Sequence, residues 1–529
     1  AALPTSWNLS AWQFGGGGLD GSVPDLTAAG YAIPGALSPL AEGAVTYGSD
    51  SGHAASDPTS WVLDEEAWMN FAYEQIKKTH DAVFSIVRTF YGQAPTTTYW
   101  HGGSQGGREG LEAATRYASD YDGVVSWVPL AYFSTLFWDP GWQGKAQYDL
   151  GSGGWIPPAK DTALAGAVLN LCDGLDGLVD GVINDYVDCD QQIDPSVSPH
   201  AFDSLRCAGG GDTGNDCLSD LQLQALQAFY GPIHFPYALA NGENSYPGWA
   251  GGLENKTAFG TDPILPFLGP WMFSLDPPST SPGYYGGGAG AGLGGAAATE
   301  RLGQGDPSFS LVGGLDLSAL QNRIQEMSAQ LDVPADLSSF ISRGGKLIMV
   351  TDGSDSISNP RAQMTLYDAW VKKDGQSPID SAVRYYVSPF QGHAPGGATD
   401  SSGAVVAGGI DTVTMIQNWV ANGTVPPDAP VAAAIAGGFS PPGADTSATK
   451  PICRYPAYPG YVRGDPHTAS SYACTTPASL AVAQTGGARP VLAASGLDAA
   501  PYVAAGGILV LMGTLVVLAG LRRRRRATR

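Results

Sequence analysis

The spacing of apolar residues along the chain alternates between helix-like and strand-like stretches, the rhythm of a parallel sheet wrapped by helices. Ile76, Val83, Ile86, Val87 and Phe90 recur at three- and four-residue intervals and stop at Gly92, which predicts a helix with a glycine end. Thr96 to Trp100 is β-branched and aromatic, as a strand should be. The rhythm returns late in the chain. Lys346 to Val350 reads as a buried strand, Asn359 and Pro360 as the cap and first turn of a helix carrying Leu366, Tyr367 and Trp370, and Val383 to Ser388 as the next strand. Between these blocks, from about Ala131 to Val333, the strand rhythm is lost. That region is expected to be loop-rich, with Trp138, Trp142, Trp155, Trp249, Trp271, Tyr284 and Tyr285 and a Gly/Ala run from Gly286 to Ala298. Near the end, Val503 to Leu521 is an uncharged apolar run of 19 residues, about 28 Å as a helix.

The candidate chemistry sits where the pattern changes. Trp100-His101-Gly102-Gly103-Ser104-Gln105-Gly106-Gly107-Arg108 places a serine in Gly-x-Ser-x-Gly, between the predicted strand and a helix-like run. A tight strand-to-helix turn exposes such a hydroxyl to a base and brings backbone N–H groups near a developing oxyanion. In a chain with 72 Gly the pentapeptide alone is a weak signal, and a plain loop is the alternative. Helix, strand, serine turn and helix together are the unit of an α/β-hydrolase fold, in which acid and then histidine follow on later strand ends. Asp355 lies in the loop after Lys346–Val350, with Asp352 as its rival, and His393 lies in the loop after Val383–Ser388. Of the 7 His, only His393 has both the order and the strand context of a base; His53 and His101 read as structural hydrogen-bonders.

Composition narrows the picture. With 43% hydrophobic and 10% aromatic residues, 529 residues can build one large core with an insertion. A net charge of −22 repels polyanions, which excludes nucleic acid as a partner. Six Cys allow 15 connectivities; disulfides would imply an oxidising, extracellular compartment, and buried free thiols are the alternative. Carboxylates and glycines recur from Cys172 to Asp185, a hard-oxygen loop that suits Ca²⁺, with a solvated acidic turn as the alternative.

Taken together, the chain resembles the tannase and feruloyl esterase family of α/β-hydrolases, a family that includes mono(2-hydroxyethyl) terephthalate hydrolase. The resemblance runs over residues 1–474. It rests on Leu3-Pro4 with Trp7-Asn8, Gly15 to Gly21, Asp50 to His53, the serine turn with Gly107-Arg108, Asp122-Gly123, the Asp355 loop, Gly392-His393, and Lys450 to Pro456. It implies an α/β-hydrolase core at 1–130 and 334–474 with an inserted lid at 131–333. It selects Asp355 over Asp352 as the acid, and implies oxyanion donors from the backbone of Gln105 and of Gly17, where a flexible glycine loop is the other reading. It implies disulfides Cys172–Cys189 and Cys453–Cys474, leaving Cys207 and Cys217 to each other. In the lid it implies a structural calcium held by Asp173, Asp176 and Asp180 with the carbonyls of Leu178 and Val182. One departure stands out. Family members carry a cysteine before the serine and after the histidine, joined as a disulfide, and here those positions are Gly103 and Ala394. Ser104 and His393 must then be held by packing and hydrogen bonds.

The resemblance also implies a secreted serine esterase acting on esters of aromatic acids through an acyl-enzyme, with a small-molecule ester as substrate and no cofactor in the chemistry. An aliphatic or polyester-oligomer esterase with the same triad is one alternative. A surface-displayed binding protein on an inactive hydrolase scaffold is another. At the C-terminus, Leu492-Ala493-Ala494-Ser495-Gly496 is similar to the Leu-Ala-x-Thr-Gly sorting signals of high-GC Gram-positive bacteria, and Arg522 to Arg526 follow the apolar run 503–521. This predicts a sortase as partner and attachment to peptidoglycan through a spacer at 475–491, with a simple membrane tail anchor as the alternative. At the other end, the lack of an initiator Met and the early family blocks predict that a signal peptide and the first strands precede residue 1, leaving a sheet edge open.

Overall fold

The runs read as buried strands are central strands of one sheet. In the computed structural model, which describes residues 1–28, 36–57, 59–154, 156–252, 297–309, 311–393, 396–435 and 443–480, seven strands line up. They are β1 (Ser10–Phe14), β2 (Val45–Tyr47), β3 (Thr97–Gly103), β4 (Gly123–Trp127), β5 (Lys346–Asp352), β6 (Val383–Ser388) and β7 (Cys453–Arg454). Their order across the sheet is β7-β6-β5-β4-β3-β1-β2, all parallel except the β7 edge. Apart from their first residues, β1 and β3 to β6 are buried along their whole length. Parallel strands covered on both faces show such continuous apolar runs in place of alternation.

Helices cover both faces. α1 (Gln75–Tyr91) ends at Gly92 with φ 79°, as its sequence predicts. Its apolar stripe is narrower than expected: Ile76, Val83 and Val87 are buried, but Ile86 and Phe90 are 49% and 64% exposed. α2 (Gln105–Arg116) leaves the serine turn. Trp100, Leu111, Val124 and Met349 share one side of the core with Leu366 and Trp370 from the helix Pro360–Asp374, capped by Asn359. Trp12, Trp127, Ile348 and Tyr386 share the other with Val413, Ile416 and Trp419.

The region expected to be loop-rich carries, among its described residues, helices at Phe133–Tyr148, Asp161–Cys172, Tyr186–Ile193, Asp220–Tyr230 and Gln321–Leu331. The local chemistry explains it: Asp220–Tyr230 carries a complete capping box from Ser219 and Gln222, a signal hidden among the glycines and tryptophans. Trp138 and Trp249 are core residues, and Trp249 Nε1 donates to Asp139 Oδ2 at 2.9 Å. A second apolar cluster, built on Ile156, Val168, Ile193, Leu226 and Trp249, takes in Phe390, Ala398 and Val406 from the loop around His393.

Ala1–Arg489 is one unit and Pro490–Arg529 another. Trp155, Trp271, Tyr284, Tyr285, most of the Gly/Ala run, Ala394, the sorting residues Leu492, Ala493, Ser495 and Gly496 and the apolar run 503–521 lie outside the described residues. Among the described residues no helix is long and apolar enough to cross a membrane.

Candidate active site

Four strand ends converge at the carboxyl edge of the sheet, where open α/β sheets bind ligands. β3 ends at Gly103, and Ser104 follows with φ 59° and ψ −123° before α2 begins at Gln105. A serine with positive φ is strained by about 1–3 kcal/mol and persists only where its surroundings fix it. Here Ser104 N donates to Trp127 O at 3.0 Å, and Ser104 O accepts from Arg108 N at 3.1 Å. Two glycines permit the turn: a Cβ at Gly102 would lie 2.3 Å from Gly106 O, and one at Gly106 would lie 2.7 Å from Gly16 O.

His393 reaches the serine from the β6 end. Its Nε2 lies 2.9 Å from Ser104 Oγ, and its Nδ1 lies 2.8 and 3.1 Å from the two carboxylate oxygens of Asp355. Asp355 is fully buried, and its Oδ1 also accepts the N–H groups of Ile357 at 2.7 Å and Ser358 at 2.9 Å. The carboxylate is thereby aimed at the imidazole. Asp352 is equally buried but meets no hydrogen-bond donor among the described residues. Burial, with the charge of Asp355 beside it, pushes its carboxyl well above the usual range, which favours the protonated form.

Without cysteines at 103 and 394, the histidine loop is held by Gln391, whose side chain is fully buried. Its Nε2 donates to Val406 O at 2.9 Å, its Oε1 accepts from Gly396 N at 3.1 Å, and its backbone carbonyl accepts from Ser354 N at 3.0 Å. The loops bearing acid and base are thus tied directly.

Backbone donors gather beside Ser104. Gly106 N donates to Gly16 O, Gly15 N to His101 O and Gly16 N to Glu109 Oε2. Among the described residues, the N–H groups of Gln105 and Gly17 have no acceptor. A Cβ at Gly17 would meet nothing within 4 Å, so this residue faces open space. The other histidines are placed elsewhere. His53 stacks on Trp61 at 3.9 Å and contacts Leu19 O, and burial pushes His101 down to about 4.

Two of the sequence's less visible residues matter locally. Arg108, fully buried, donates to the carbonyls of Phe71, Ala72 and Leu331 and to Gln105 Oε1. Glu109 meets Asp20 behind the glycine loop. The only hint of either in sequence is charge inside a glycine-rich, core-facing helix; their partners are distant along the chain.

The acidic loop lies between disulfide partners Cys172 and Cys189; Cys207–Cys217 and Cys453–Cys474 are also bonded. Asp173 accepts from the N–H groups of Asp180 and Gly181, Asp176 from Leu178 and Asn184, and Asp180 from Val182. Among the described residues no three Asp, Glu, His or Cys side chains converge as a metal cage. The donor chemistry nevertheless fits a hard cation. Burial pushes Asp176 up to about 6 and raises Asp180, and Lys450, whose ammonium opposes both shifts, is itself buried.

Comparison with known proteins places this geometry. The family described as tannase and feruloyl esterase matches residues 1–475. The chain is 34% identical over 490 residues to an uncharacterised esterase of Agrobacterium fabrum, covering 89% of this chain and 81% of that one. It is 26% identical over 512 residues to mono(2-hydroxyethyl) terephthalate hydrolase of Piscinibacter sakaiensis, covering 90% and 81%. The crystal structure of feruloyl esterase B from Aspergillus oryzae superposes with a TM-score of 0.69 at 21% identity, covering 89% of this chain and 86% of that one.

Proposed function

The chain belongs to the tannase and feruloyl esterase family and is a carboxylic ester hydrolase, and on that premise we propose that it is a serine esterase cleaving esters of aromatic acids through an acyl-enzyme. The observation that carries the reading is the unbroken chain of contacts from Ser104 Oγ through His393 to Asp355.

His393 Nε2 takes the proton from Ser104 Oγ as the oxygen attacks the ester carbonyl. Asp355 holds the Nδ1–H tautomer and stabilises the imidazolium that forms. The carbonyl oxygen, now an anion, accepts from the N–H groups of Gln105 and Gly17. Donors fixed in advance need no reorganisation, and one such donor is worth about two to three orders of magnitude in rate. The tetrahedral centre collapses, the C–O bond to the alcohol breaks, and His393 returns its proton to the departing alkoxide. Water, deprotonated by the same imidazole, then attacks the acyl-serine, and Ser104 leaves with the proton as the acid is released. No cofactor takes part.

The preference for aromatic acids is supported by what the relatives' names say of them, and the region 131–333, as a lid, would shape the acyl pocket. Calcium belongs to the reading as a structural ion, held by Asp173, Asp176 and Asp180 with the carbonyls of Leu178 and Val182. The three disulfides support an extracellular location. Attachment to peptidoglycan by a sortase at Leu492, Ala493, Ser495 and Gly496, in a high-GC Gram-positive bacterium, is supported by the sequence of that segment alone.

A panel of methyl ferulate, methyl gallate, p-nitrophenyl acetate and p-nitrophenyl butyrate, with wild type and Ser104→Ala, tests the reading. Serine-dependent turnover with the higher kcat/KM on the aromatic-acid esters is expected. Turnover of only the p-nitrophenyl esters would keep the triad and overturn the acyl preference. No serine-dependent turnover would overturn the serine-esterase reading.

A further inference from the structure

The glycine loop that carries Gly17 has little to hold it from its open side, since a Cβ at Gly17 or Gly18 would touch nothing within 4 Å. Its restraints come from behind. Gly16 N donates to Glu109 Oε2 at 3.2 Å, the Ser51 hydroxyl donates to Asp20 Oδ2, His53 Nε2 lies 2.8 Å from Leu19 O, and Gly21 N donates to Asp50 O at 3.0 Å. Asp20 and Ser51 both take positive φ, 52° and 64°, without being glycine. Such strain is retained only where neighbouring groups over-determine the backbone.

Glu109 is the hub of these restraints. It stands one turn along α2 from Gln105, fully buried, and its Oε1 accepts Gln75 Nε2 at 2.8 Å while Gln75 Oε1 accepts the Ser49 hydroxyl at 2.6 Å. Its carboxyl lies against that of Asp20, since a Cβ at Gly15 would lie 2.8 Å from Glu109 Oε2 and one at Gly16 2.6 Å from Asp20 Oδ2, and Asp20 N in turn donates to Gly17 O at 2.9 Å. Two carboxyl groups in contact away from water cannot both ionise, so one proton lies between them. A direct line of bonds therefore runs from the proton-sharing pair to both peptide groups that flank the Gly17 N–H.

We propose that Glu109 is a positioning residue of the ester hydrolysis: through the proton it shares with Asp20 it fixes the glycine loop so that the Gly17 N–H meets the oxyanion. The proposal rests on the serine-esterase reading above and adds to it a proton that does no chemistry but must be present. The charges facing the pair are Arg108 from α2, which favours ionisation of both carboxyls, and Asp50 from the adjoining loop, which opposes that of Asp20; Ser49, Ser51 and Gln75 are neutral. Burial outweighs Arg108, raising Asp20 to about 6 and Glu109 well above the usual carboxylate range. Burial and the contact between the two carboxyls favour the singly protonated pair. When alkali removes its proton, two anions face each other and the loop segment carrying Asp20 is driven off.

The test is the kcat pH profile of the full chain on p-nitrophenyl acetate, for wild type, Glu109→Gln, Glu109→Ala, Asp20→Asn and Ser104→Ala. Wild type should lose kcat on the alkaline side, in addition to the acid limb set by protonation of the imidazole base. Glu109→Ala should lower kcat by about ten- to a thousandfold with KM changed less than threefold. Glu109→Gln, whose amide can donate to Asp20 at any pH while giving up one of the two N–H groups that Glu109 accepts, should lose less than Glu109→Ala and lack the alkaline limb, and Asp20→Asn should also lack it. A Glu109→Gln profile with the wild-type alkaline limb would overturn the proposal even if Glu109→Ala failed to fold. So would a folded Glu109→Ala with kcat within twofold of wild type. Turnover unaffected by Ser104→Ala would overturn the esterase reading and this proposal together, an outcome distinct from failure at Glu109 alone.

Discussion

Ser104, His393 and Asp355 meet although 289 and 38 residues separate the contacting pairs, and their order and strand-end positions are legible in the sequence. The choice between Asp352 and Asp355 was not legible from the residues. Both follow the same strand, and only the family pattern separated them. The structure gives the physical distinction: Asp355 faces an imidazole and two N–H groups, whereas the buried Asp352 carboxyl has no hydrogen-bond partner among the described residues, and burial favours its protonated form. Two predictions follow at this scale. Asp355→Asn should lower kcat by about two to four orders of magnitude, because the imidazole then loses the carboxylate that holds its tautomer. Asp352→Asn should leave kcat within about threefold, since the carboxyl it replaces makes no hydrogen bond to the imidazole or to any N–H group among the described residues. Steady-state kinetics on one ester checks both, and reversal of the two effects would reassign the acid. Arg108, Glu109 and Asp20 were invisible as a group, because sequence shows a charge but not the buried carbonyl or carboxyl it will meet.

At the scale of elements, the strands and the helices flanking the triad were readable because their periods are clean and their ends carry Gly92 or Asn359 with Pro360. The region from 131 to 333, whose sequence reads as loop-rich, holds five helices of eight or more residues among its described residues. Its helices mix small residues with buried polar ones, so the 3.6-residue period is faint, and the capping box at Ser219 was the better signal. The missing pair of cysteines at 103 and 394 shifts a mechanical task onto Gln391. Gln391→Ala would remove two hydrogen bonds, the one donated to the Val406 carbonyl and the one accepted from the Gly396 N–H, at a net cost of about 0.5–1.5 kcal/mol each. The expected result is a melting temperature lower by several degrees and a lower kcat, as the histidine loop loosens. An unchanged melting curve and unchanged kcat would show that apolar packing of Phe390, Ala398 and Val406 suffices to hold it.

At the scale of the whole molecule, the acids buried in the fold set its pH response. Burial raises Glu112 to about 7, Asp185 to about 7, and Asp139 and Asp332 to about 6, from ordinary values of 4.5 and 3.8. Between about pH 4 and 7 the folded chain therefore binds more protons than the unfolded one, and stability falls as pH rises. Carboxylates lowered by their partners, such as Asp336 at about 2, act only below that window. Melting temperatures should be higher at pH 5 than at pH 8, and a flat or rising trend would contradict the assignment of these acids as protonated. Calcium should raise the melting temperature and a chelator lower it; an equal response in Asp176→Asn would exclude the acidic loop as the site. The central claim is that Ser104 becomes acylated. The most direct measurement is a stopped-flow burst with excess p-nitrophenyl acetate, coupled to intact mass and peptide mapping of the quenched protein. The account predicts up to one equivalent of p-nitrophenolate released ahead of steady state, an acetyl group on the Ser104 peptide, and neither in Ser104→Ala. Equal turnover by wild type and Ser104→Ala, with no mass on Ser104, would contradict it.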